Sequence, residues 1–499
     1  MADIGILGEI SVAQLTKLED IVSLCKRRGF IFQSSEIYGG LASCYDYGPL
    51  GAELKRNVRQ AWWKAVVQMR DDVVGLDCSI LMHPLVWKAS GHADKFADLV
   101  TVCKKCNMRS RVDHLPDHPE EHTAHITVDA AMKDAKNLSK KVCPSCGTVG
   151  QFSEPMEFKL MFETQMGANI DDSMTVWLRP ETAQGIFVNF INVLQSSRVK
   201  IPFGIAQTGK SFRNEVTTKA FIFRTREFEQ AEIEFFCEPG TDVEWWEHWK
   251  KERFNWYLNL GIKKENLRLR DHDKDELAHY AKGCVDVEYK FPFGSGDWQE
   301  LEGIANRTDY DLRQHQRGMR TVTTWHENGK NTLKVPLAAE AEDYQSGPLS
   351  YFDEEQKKRY IPYVIEPSAG IDRSTLAFLV DAYDEDEVNG EKRSVMRFHP
   401  ALAPIKVAIF PLVKKDGMPE IAQEIYNKLK RHFACFYDEK GAVGRRYRRQ
   451  DEAGTPFCLT IDGQTKEDGT VTVRERDSMV QTRINKENLL NYLRDKLEV

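Results

Sequence analysis

The sequence contains no run of about 18 apolar residues, so it offers no candidate for a helix that crosses a membrane. It also lacks an excess of basic residues: the formal net charge is −7, which argues against a protein that coats nucleic acid with a uniform basic field. There is no GxGxxG motif for dinucleotide binding, and there is no internal repeat or low-complexity segment. The first residues lack the basic region and apolar core of a secretory signal, and we therefore expect a cytoplasmic protein.

The composition is that of an ordinary globular protein. A length of 499 residues predicts roughly two to four domains, and contents of 41% hydrophobic and 29% charged residues allow each domain a core. Seven of the 11 cysteines are scattered singly, which suits a reducing compartment better than a disulfide framework. These single cysteines are Cys25, Cys44, Cys78, Cys237, Cys284, Cys435 and Cys458.

The other four cysteines form two CxxC pairs, Cys103-x-x-Cys106 and Cys143-x-x-Cys146. Two such pairs are typical of a zinc ribbon, in which four thiolates complete a tetrahedral site. The 36 residues between the pairs exceed the usual gap, so the alternative is two knuckles without a metal. We predict a structural zinc ion, because four thiolates leave no open position for catalysis.

The segment from Gly209 to Phe236 carries a dense arrangement of arginine and glutamate. Arg213 and Glu215 precede a predicted turn, and the alternation from Phe221 to Phe228 predicts a return strand. An arginine supplies a fixed fork of donors for a phosphate, and a carboxylate two residues away can accept from an adenine amino group. The pattern favours a nucleotide-binding hairpin; the alternative for a single Arg-x-Glu is a solvated salt-bridge ladder.

This segment resembles motif 2 of the class II aminoacyl-tRNA synthetases, in which Phe-Arg-x-Glu is followed by a loop and an arginine-containing strand. The amphipathic stretch from Glu53 to Arg70, with an extended run ending at His83-Pro84, resembles motif 1, through which these enzymes dimerise. The segment from Val364 to Arg373, which runs into an apolar stretch, resembles motif 3. The resemblance implies an α+β fold, with an antiparallel sheet flanked by helices.

More closely, nearly the whole chain is similar to the dimeric (α2) glycyl-tRNA synthetases. That resemblance implies a homodimeric ATP-dependent ligase that converts glycine to glycyl-adenylate and transfers it to the 3′ end of tRNA(Gly). The matching segments are Tyr45-Asp46-Tyr47-Gly48-Pro49-Leu50-Gly51, Arg179-Pro180-Glu181-Thr182-Ala183-Gln184-Gly185, the Arg213 hairpin with Glu232, Glu300-Leu301-Glu302-Gly303-Ile304-Ala305, and Glu366-Pro367-Ser368.

The resemblance also implies roles in ATP binding. Arg213 and Arg373 are the implied catalytic residues: Arg213 would bind the α-phosphate and the amino-acid carboxylate, and Arg373 the γ-phosphate of a bent ATP. Glu215 would accept from the adenine amino group, and Phe228 would stack on the ring. Glu300 is the predicted ligand for Mg²⁺, whereas Glu302 need not reach the same ion. The full predicted ATP-binding set is Arg213, Asn214, Glu215, Phe223, Arg224, Thr225, Arg226, Glu227, Phe228, Glu300, Leu301, Gly370, Ile371, Asp372 and Arg373.

Glycine has no side chain to recognise, so its ammonium group and its small size are the remaining features. By the resemblance, Glu181, Glu232 and Glu366 form an acidic pocket, Ser368 forms a polar wall, and Arg111 contacts substrate. Larger amino acids would clash, so no editing domain is needed. The full predicted substrate-binding set is Arg111, Glu181, Phe228, Glu229, Gln230, Ala231, Glu232, Glu366, Pro367, Ser368, Ala369 and Gly370.

The domain organisation follows from where the motifs lie. Residues 1–100 and 150–395 form the predicted catalytic domain, which a zinc-ribbon-like insertion at 101–149 interrupts. A candidate second insertion at 318–359 would lie near the acceptor end of tRNA, by the same resemblance.

Residues 400–499 alternate strand and helix, which predicts an α/β domain that resembles the anticodon-binding domain of these enzymes. In this domain a basic cluster is either an RNA contact or a solvated helix face. The cluster comprises Arg445, Arg446, Arg448 and Arg449.

Two other classes of protein would share these motifs. A catalytically inactive relative that serves as a nucleic-acid-binding subunit is expected to lose Arg213, Glu215 or Arg373, and all three are present. A threonyl, prolyl or seryl synthetase would share the motifs and the final domain, and the acidic set favours glycine over these. A zinc-dependent binding protein fits poorly, because the ribbon accounts for little of the chain.

Overall fold

The computed structural model describes residues 18–112, 115–116, 138–167, 174–216, 221–274, 276–278, 281–292, 298–327, 336–388 and 390–497. Its helices are α1 (Leu18–Arg28), α2 (Pro49–Trp63), α3 (Pro84–Ala89), α4 (His92–Lys95), α5 (Ala183–Ser197), α6 (Asp242–Asn259), α7 (Tyr310–Glu327), α8 (Ile371–Ala382), α9 (Met418–Leu429), α10 (Val443–Ala453), α11 (Gly463–Asp468) and α12 (Leu489–Leu497). Within these ranges, no helix is both long enough and apolar enough to cross a membrane.

The strands are β1 (Ile31–Gln33), β2 (Tyr45–Tyr47), β3 (Val73–Gly75), β4 (Ala97–Val102), β5 (Arg109–Arg111), β6 (Met156–Lys159), β7 (Glu163–Met166), β8 (Met174–Trp177), β9 (Phe203–Phe212), β10 (Glu227–Cys237), β11 (Leu267–Asp271), β12 (Gly283–Lys290), β13 (Trp298–Thr308), β14 (Tyr351–Asp353), β15 (Lys358–Tyr360), β16 (Tyr363–Gly370), β17 (Tyr383–Val388), β18 (Glu391–Met396), β19 (Val407–Pro411), β20 (Cys435–Tyr437), β21 (Phe457–Ile461), β22 (Thr470–Glu475) and β23 (Gln481–Asn485).

The central sheet has seven strands in the order β11-β12-β13-β16-β10-β9-β3. Every neighbouring pair is antiparallel except β3 and β9, which run parallel. Helices cover both faces of the sheet: α2, α6 and α8 pack on one face, and α5 and α7 pack on the other. The predicted α+β fold with an antiparallel sheet flanked by helices is therefore confirmed.

Strand β10 shows how the sequence assigns side chains to these two faces. Ile233 and Phe235 pack into the core with α2, α6 and α8, whereas Phe236 packs with α5. Since successive side chains of a strand point to opposite faces, Glu232 and Glu234 lie on the α5 side. This alternation places the carboxylates of Glu232 and Glu234 on the face of the sheet that α5 covers.

Helix α2 confirms the amphipathic pattern predicted near residues 53–70, with different ends. Pro49 occupies its first turn, where no N–H donor is needed, and Leu54, Val58 and Trp62 are fully buried at a spacing of four. After Trp63 the helix continues as a π-helical turn. The extended run predicted to end at His83-Pro84 is confirmed in part: Pro84 begins helix α3, but the strand itself, β3, ends at Gly75.

The predicted return strand from Phe221 to Phe228 is also wrong except at its last two residues, Glu227 and Phe228. Phe221 to Phe223 form a 3-10 turn, and β10 begins only at Glu227. Ile222 and Phe223 are both buried, and a strand would send these neighbours to opposite faces. Residues 217–220 of the predicted turn lie outside the described residues.

The insertion after β4 begins in a three-stranded sheet of order β5-β4-β6. An isolated antiparallel β-bridge joins Cys103, just after β4, to Phe152, which follows the second CxxC pair. A second bridge, between Val142 and Val149, flanks that pair. In the region proposed as a second insertion, α7 and the β14–β15 hairpin lie on either side of residues 328–335, which are outside the described residues.

The C-terminal unit has a five-stranded sheet of order β20-β19-β21-β22-β23. Strands β20, β19 and β21 run parallel, and the remaining pairs are antiparallel. Helices α9 and α12 bury Ile425, Leu429 and Leu493 against this sheet. The predicted α/β domain is confirmed, and its last helix runs from Leu489 to Leu497.

Candidate active site

A pocket opens where the β9–β10 hairpin meets β13 and the junction between β16 and α8. Its cavity volume is about 150 Å³, or about 670 Å³ when the space of its open mouth is counted. Every lining residue except Ile222 belongs to the predicted ATP- or substrate-binding sets. The lining comprises Arg213, Glu215, Ile222, Phe223, Arg224, Thr225, Phe228, Glu229, Gln230, Glu300, Leu301, Ser368, Gly370, Asp372 and Arg373.

Arg213 follows β9, and its guanidinium is held at one edge of this pocket. Its Nε donates to the Pro180 carbonyl at 2.9 Å, and its carbon lies 5.4 Å from the centre of the Phe228 ring. Among the described residues, no carboxylate forms an ion pair with Arg213. Its remaining donors are therefore available to a phosphate or a substrate carboxylate.

Arg373, in the first turn of α8, lines the same pocket. Its Nη1 lies 3.0 Å from Glu300 Oε2, and its Nε donates to the Phe223 carbonyl at 3.2 Å. Burial by itself raises the pKa of Glu300, but the charge of Arg373, its hydrogen bond and the charge of Arg213 lower that pKa overall. Glu300 therefore stays ionised, as a ligand for a hard cation must.

Arg224 supplies a third guanidinium, and its Nε is buried without a hydrogen-bond partner among the described residues. Burial lowers its pKa. A buried donor without a partner is costly, so an orphaned donor in a pocket with two further arginines favours an anionic ligand.

Some residues predicted to bind ATP do not line the pocket. Arg226 donates to the Ala42 carbonyl at 2.8 Å, and Glu227 forms an ion pair with Lys210 at 2.7 Å. Glu227 neighbours Phe228 on β10 and so points to the opposite face. Asn214 and Ile371 likewise do not line the pocket. The ATP-binding role stays a prediction for every member of the set, whether or not it lines the pocket.

Two lining carboxylates, Asp372 and Glu229, are tied to α2. Asp372 accepts from Lys55 Nζ at 2.7 Å, from the Tyr47 hydroxyl at 2.5 Å and from the Glu229 backbone N–H at 2.6 Å. Glu229 also lies 3.4 Å from Lys55 and 3.1 Å from Arg59. These acids are therefore neutralised from behind the pocket. Sequence reasoning missed Lys55, although the Lys55–Arg59 spacing of four on an amphipathic helix was a signal.

Glu232 lies beside this pocket and is nearly fully buried. One carboxylate oxygen accepts from the Thr182 backbone N–H at 2.9 Å and from the Thr182 hydroxyl. The other accepts from Ser368 Oγ at 2.6 Å and from Gln230 Nε2 at 2.9 Å. Burial and the charge of Glu181 raise the pKa of Glu232. The structure thus brings Glu232 and Ser368 together as the sequence predicted.

Glu181 and Glu366 complete the acidic group, with opposite pKa shifts. Burial tends to raise the pKa of Glu181, but His92, 3.3 Å away, and Arg307 lower it overall. Burial raises the pKa of Glu366 to about 8, and the charges of Glu232 and Glu181 add to the rise. Arg307 Nη1 donates to Glu366 at 2.6 Å and opposes this shift. Near pH 7, Glu366 is therefore mostly protonated while Glu181 is ionised.

Arg307 and Glu234 belong to this network, and sequence reasoning missed both. Arg307 also donates to Asp311 at 2.7 Å. Both carboxyl oxygens of Glu234 are buried without hydrogen-bond partners among the described residues, and burial raises its pKa strongly. The signal for Glu234 was its position two residues after Glu232 on one strand face. The buried acids outnumber the one guanidinium among them, so a cationic ligand would be stabilised here.

Two other predicted residues lie elsewhere. Arg111 forms an ion pair with Asp98 at 3.1 Å on the insertion sheet and does not line the pocket, so its contact with substrate stays a prediction. Glu302 is fully buried in an ion pair with Arg253 at 2.6 Å, which removes it as a second magnesium ligand.

The two CxxC pairs meet in the insertion. Cys103 Sγ lies 3.7 Å from Cys146 Sγ, and Cys106 Sγ lies 3.6 Å from Cys143 Sγ. All four sulfur atoms lie within 4.8 Å of one another, and a tetrahedral zinc ion with bonds of about 2.3 Å places its sulfurs roughly 3.8 Å apart. Hydrogen bonds with the side chain and the backbone of Thr148 lower the pKa of Cys146 to about 6. The donor set and its spacing therefore fit zinc.

The basic cluster on α10 divides into buried and exposed members. Arg446 is buried and donates to the carbonyls of Pro411 at 2.7 Å and Asp438 at 3.1 Å, whereas Arg445 is exposed. Arg449 pairs with Asp438. The interpretation of the whole cluster as an RNA contact is therefore wrong for Arg446, which stabilises the domain.

Comparison with known proteins agrees with this architecture. Residues 162–383 match the family described as "tRNA synthetase class II core domain (G, H, P, S and T)", and residues 406–496 match "Anticodon binding domain". The chain is 50% identical to the glycine–tRNA ligase of Treponema denticola, covering 96% of this chain and 97% of that protein. It is 50% identical to the glycine–tRNA ligase of Thermobifida fusca, with 97% and 99% covered. It is 51% identical to that of Acetivibrio thermocellus, with 96% and 98% covered.

Proposed function

The chain belongs to the glycine–tRNA ligases of the class II tRNA synthetase family, and on that premise we propose which of its residues act at each step. Its activity is that of an ATP-dependent aminoacyl-tRNA ligase. Glycine and ATP form glycyl-adenylate and pyrophosphate, and the glycyl group then passes to the 3′ end of tRNA(Gly).

In the first step the glycine carboxylate attacks the α-phosphorus of ATP, so two anions must be aligned and the developing charge must be neutralised. Such a reaction depends on positioning and electrostatics. Arg213 would contact both anions, because its free donors face the pocket beside Phe228. Arg373 would hold the γ-phosphate, and Arg224 would direct its orphaned Nε to a phosphate oxygen.

Glu300 would hold Mg²⁺, since its ionised carboxylate lines the nucleotide pocket. The ion, when bound, would neutralise charge on the phosphate oxygens. With the ion held by Glu300, the Nη1 of Arg373, which now pairs with Glu300, would be available to a phosphate oxygen.

The glycine ammonium group would bind among Glu181, Glu232 and Glu366. The observation that carries this assignment is the excess of buried acids over their one guanidinium, Arg307, beside a pocket that holds unpaired arginine donors. Such a pair of subsites binds a zwitterion in one orientation, with its carboxylate toward Arg213. Hydrogen bonds from Ser368 and from the Thr182 hydroxyl hold Glu232 in place, so its carboxylate would have a fixed orientation toward the ammonium group.

The insertion would hold one structural Zn²⁺ through Cys103, Cys106, Cys143 and Cys146. The ion would fix the fold of the insertion, with no open position for chemistry. The C-terminal unit would bind the anticodon region of tRNA(Gly).

We also propose a homodimer in a reducing, cytoplasmic compartment. Ile37, Tyr38 and Met69 are 87%, 86% and 72% exposed, and apolar side chains so exposed are typical of a surface that a second subunit covers. All 11 cysteines lie in the described ranges, and none forms a disulfide. Sedimentation equilibrium with Tyr38→Glu would test the dimer.

The test of the function is ATP–pyrophosphate exchange with glycine, alanine, serine and threonine, followed by charging of tRNA(Gly). We expect exchange with glycine and roughly 100-fold less with alanine, because the additional methyl group would clash with the side chains around the glycine site. Equal exchange with threonine or serine would refute the assignment of glycine while leaving the class II chemistry intact. Absence of exchange with all four amino acids would refute the proposed amino-acid activation.

A further inference from the structure

A second group of metal-binding side chains lies on the sheet, apart from the four cysteines. His272, Cys284 and Asp286 each offer one ligand atom, and these atoms all lie within 4.8 Å of one another. The strand register explains the grouping: His272 follows β11, and its backbone N–H donates to the Cys284 carbonyl at 3.0 Å. Asp286 lies two residues beyond Cys284 on β12 and so shares its face.

His272 Nε2 lies 2.8 Å from Asp286 Oδ2, the distance of an ion pair with a protonated imidazole. A divalent cation that replaced this proton would be held by the same two side chains. Small side-chain rotations would bring all three atoms to the spacing of roughly 3.5 Å expected around a tetrahedral zinc ion.

The surrounding charges favour a cation. Arg270 is the nearest guanidinium, 3.6 Å from Asp286, but it is bound by Glu276 at 2.9 Å and Glu288 at 3.1 Å. Arg270 therefore neutralises Asp286 only in part. Binding of the ion would release the proton of the Cys284 thiol, because a coordinating thiol is deprotonated.

Space for the ion's remaining ligand lies over Gly303. A Cβ atom at Gly303 would meet only Asp286 Oδ1 and Glu300 Oε1, each at 3.7 Å. Three protein ligands leave one tetrahedral position open, which water can fill. Glu300 on the other side of this space connects the group to the nucleotide pocket.

We propose that His272, Cys284 and Asp286 bind one divalent transition-metal ion of the zinc or cobalt class, at a site additional to the ribbon. Imidazole, thiolate and carboxylate together suit such borderline ions better than Mg²⁺, which prefers oxygen ligands.

The proposal is tested by titrating the full-length protein with Co²⁺ and recording the thiolate-to-cobalt charge-transfer absorption. The difference between the wild-type protein and Cys284→Ser cancels any contribution from the ribbon. We expect a difference band that saturates at one Co²⁺ per chain, and we expect Asp286→Asn to bind that ion at least tenfold more weakly. Cys435→Ser removes another half-buried single cysteine, so its spectrum should equal that of the wild type.

Identical spectra for the wild-type protein and Cys284→Ser at saturating Co²⁺ would overturn the proposal. Circular dichroism establishes whether each variant is folded. If Cys284→Ser unfolds, His272→Ala replaces it, because this side chain is 20% exposed and its loss leaves the strand intact. Zn²⁺ calorimetry on His272→Ala must then show one site fewer than the wild type, and an unchanged stoichiometry would likewise overturn the site.

Discussion

Replacing Glu366 by glutamine should change how glycine binding depends on pH. In the free protein, burial and the charges of Glu232, Glu181 and Asp311 raise the pKa of Glu366 to about 8 against the opposing charge of Arg307. An ammonium group favours the ionised carboxylate, so glycine binding lowers this pKa and releases a proton. Glycine affinity should therefore rise with pH up to about pH 8 and level off above it.

The magnitude follows from the ionised fraction of Glu366. With a pKa of about 8, this fraction is about one-eleventh at pH 7 and about one-half at pH 8. The dissociation constant of glycine should then fall about tenfold between pH 6 and 7 and about fivefold between pH 7 and 8. Glu366→Gln should remove this pH dependence of glycine binding. At pH 8.5 it should also weaken binding by about 1.5–3 kcal/mol, the contribution of a charge-assisted hydrogen bond.

Isothermal titration calorimetry measures the dissociation constant of glycine. When it is repeated in buffers of different ionisation enthalpy, it also reports the number of protons released per glycine bound. The wild-type protein should release close to one proton more than Glu366→Gln at pH 7. Glu355→Gln is a suitable control, since Glu355 is exposed and pairs only with Lys200 in the described part of the chain. Equal proton release by the wild-type protein and Glu366→Gln would refute the assignment of Glu366 as a ligand of the ammonium group.

Three further substitutions test other parts of the account. Arg213→Ala should raise the activation barrier of glycine-dependent exchange by about 3 kcal/mol, which slows it roughly 150-fold. Arg213→Lys should restore little of the rate, because lysine lacks the planar guanidinium with its paired donors. Near-normal rates would contradict this role. Cys106→Ser should bind one zinc ion fewer per chain than the wild-type protein in native mass spectrometry and should lower the melting temperature, and an unchanged zinc content would contradict the ribbon. Arg446→Ala should destabilise the C-terminal unit by about 2–4 kcal/mol in urea titrations while Arg445→Ala does not, and equal stabilities would contradict a structural role for Arg446.

The order of the three motifs and the alternation of polar and apolar residues allowed the sheet, its flanking helices and the C-terminal α/β unit to be predicted from sequence. Both kinds of signal are local, and the burial of β10 and α2 agrees with them. The error at Phe221 to Phe223 has a physical reason. Alternation predicts a strand, but two neighbouring apolar side chains needed burial on the same side, and a 3-10 turn provides that.

Most of the lining of the pocket that holds Arg213 and Arg373 could also be predicted, because the residues that line it lie in the motifs. What could not be predicted are the long-range partners that set its electrostatics. Lys55 neutralises Asp372 from 317 positions away, and Arg307 reaches Glu366 from 59 positions away. The environment of Arg446 could not be predicted from the local sequence either. A basic run is compatible with solvent, RNA or burial, and only the tertiary fold places carbonyls around one of its members.

The most direct test of the central claim is a crystal structure of the protein with a non-hydrolysable glycyl-adenylate analogue. We predict that the glycyl nitrogen lies about 2.7–3.2 Å from carboxylate oxygens of at least two of Glu181, Glu232 and Glu366, with Arg213 on the oxygens that replace the α-phosphate. An analogue bound with its nitrogen in solvent, or with Arg213 turned away from it, would contradict the account.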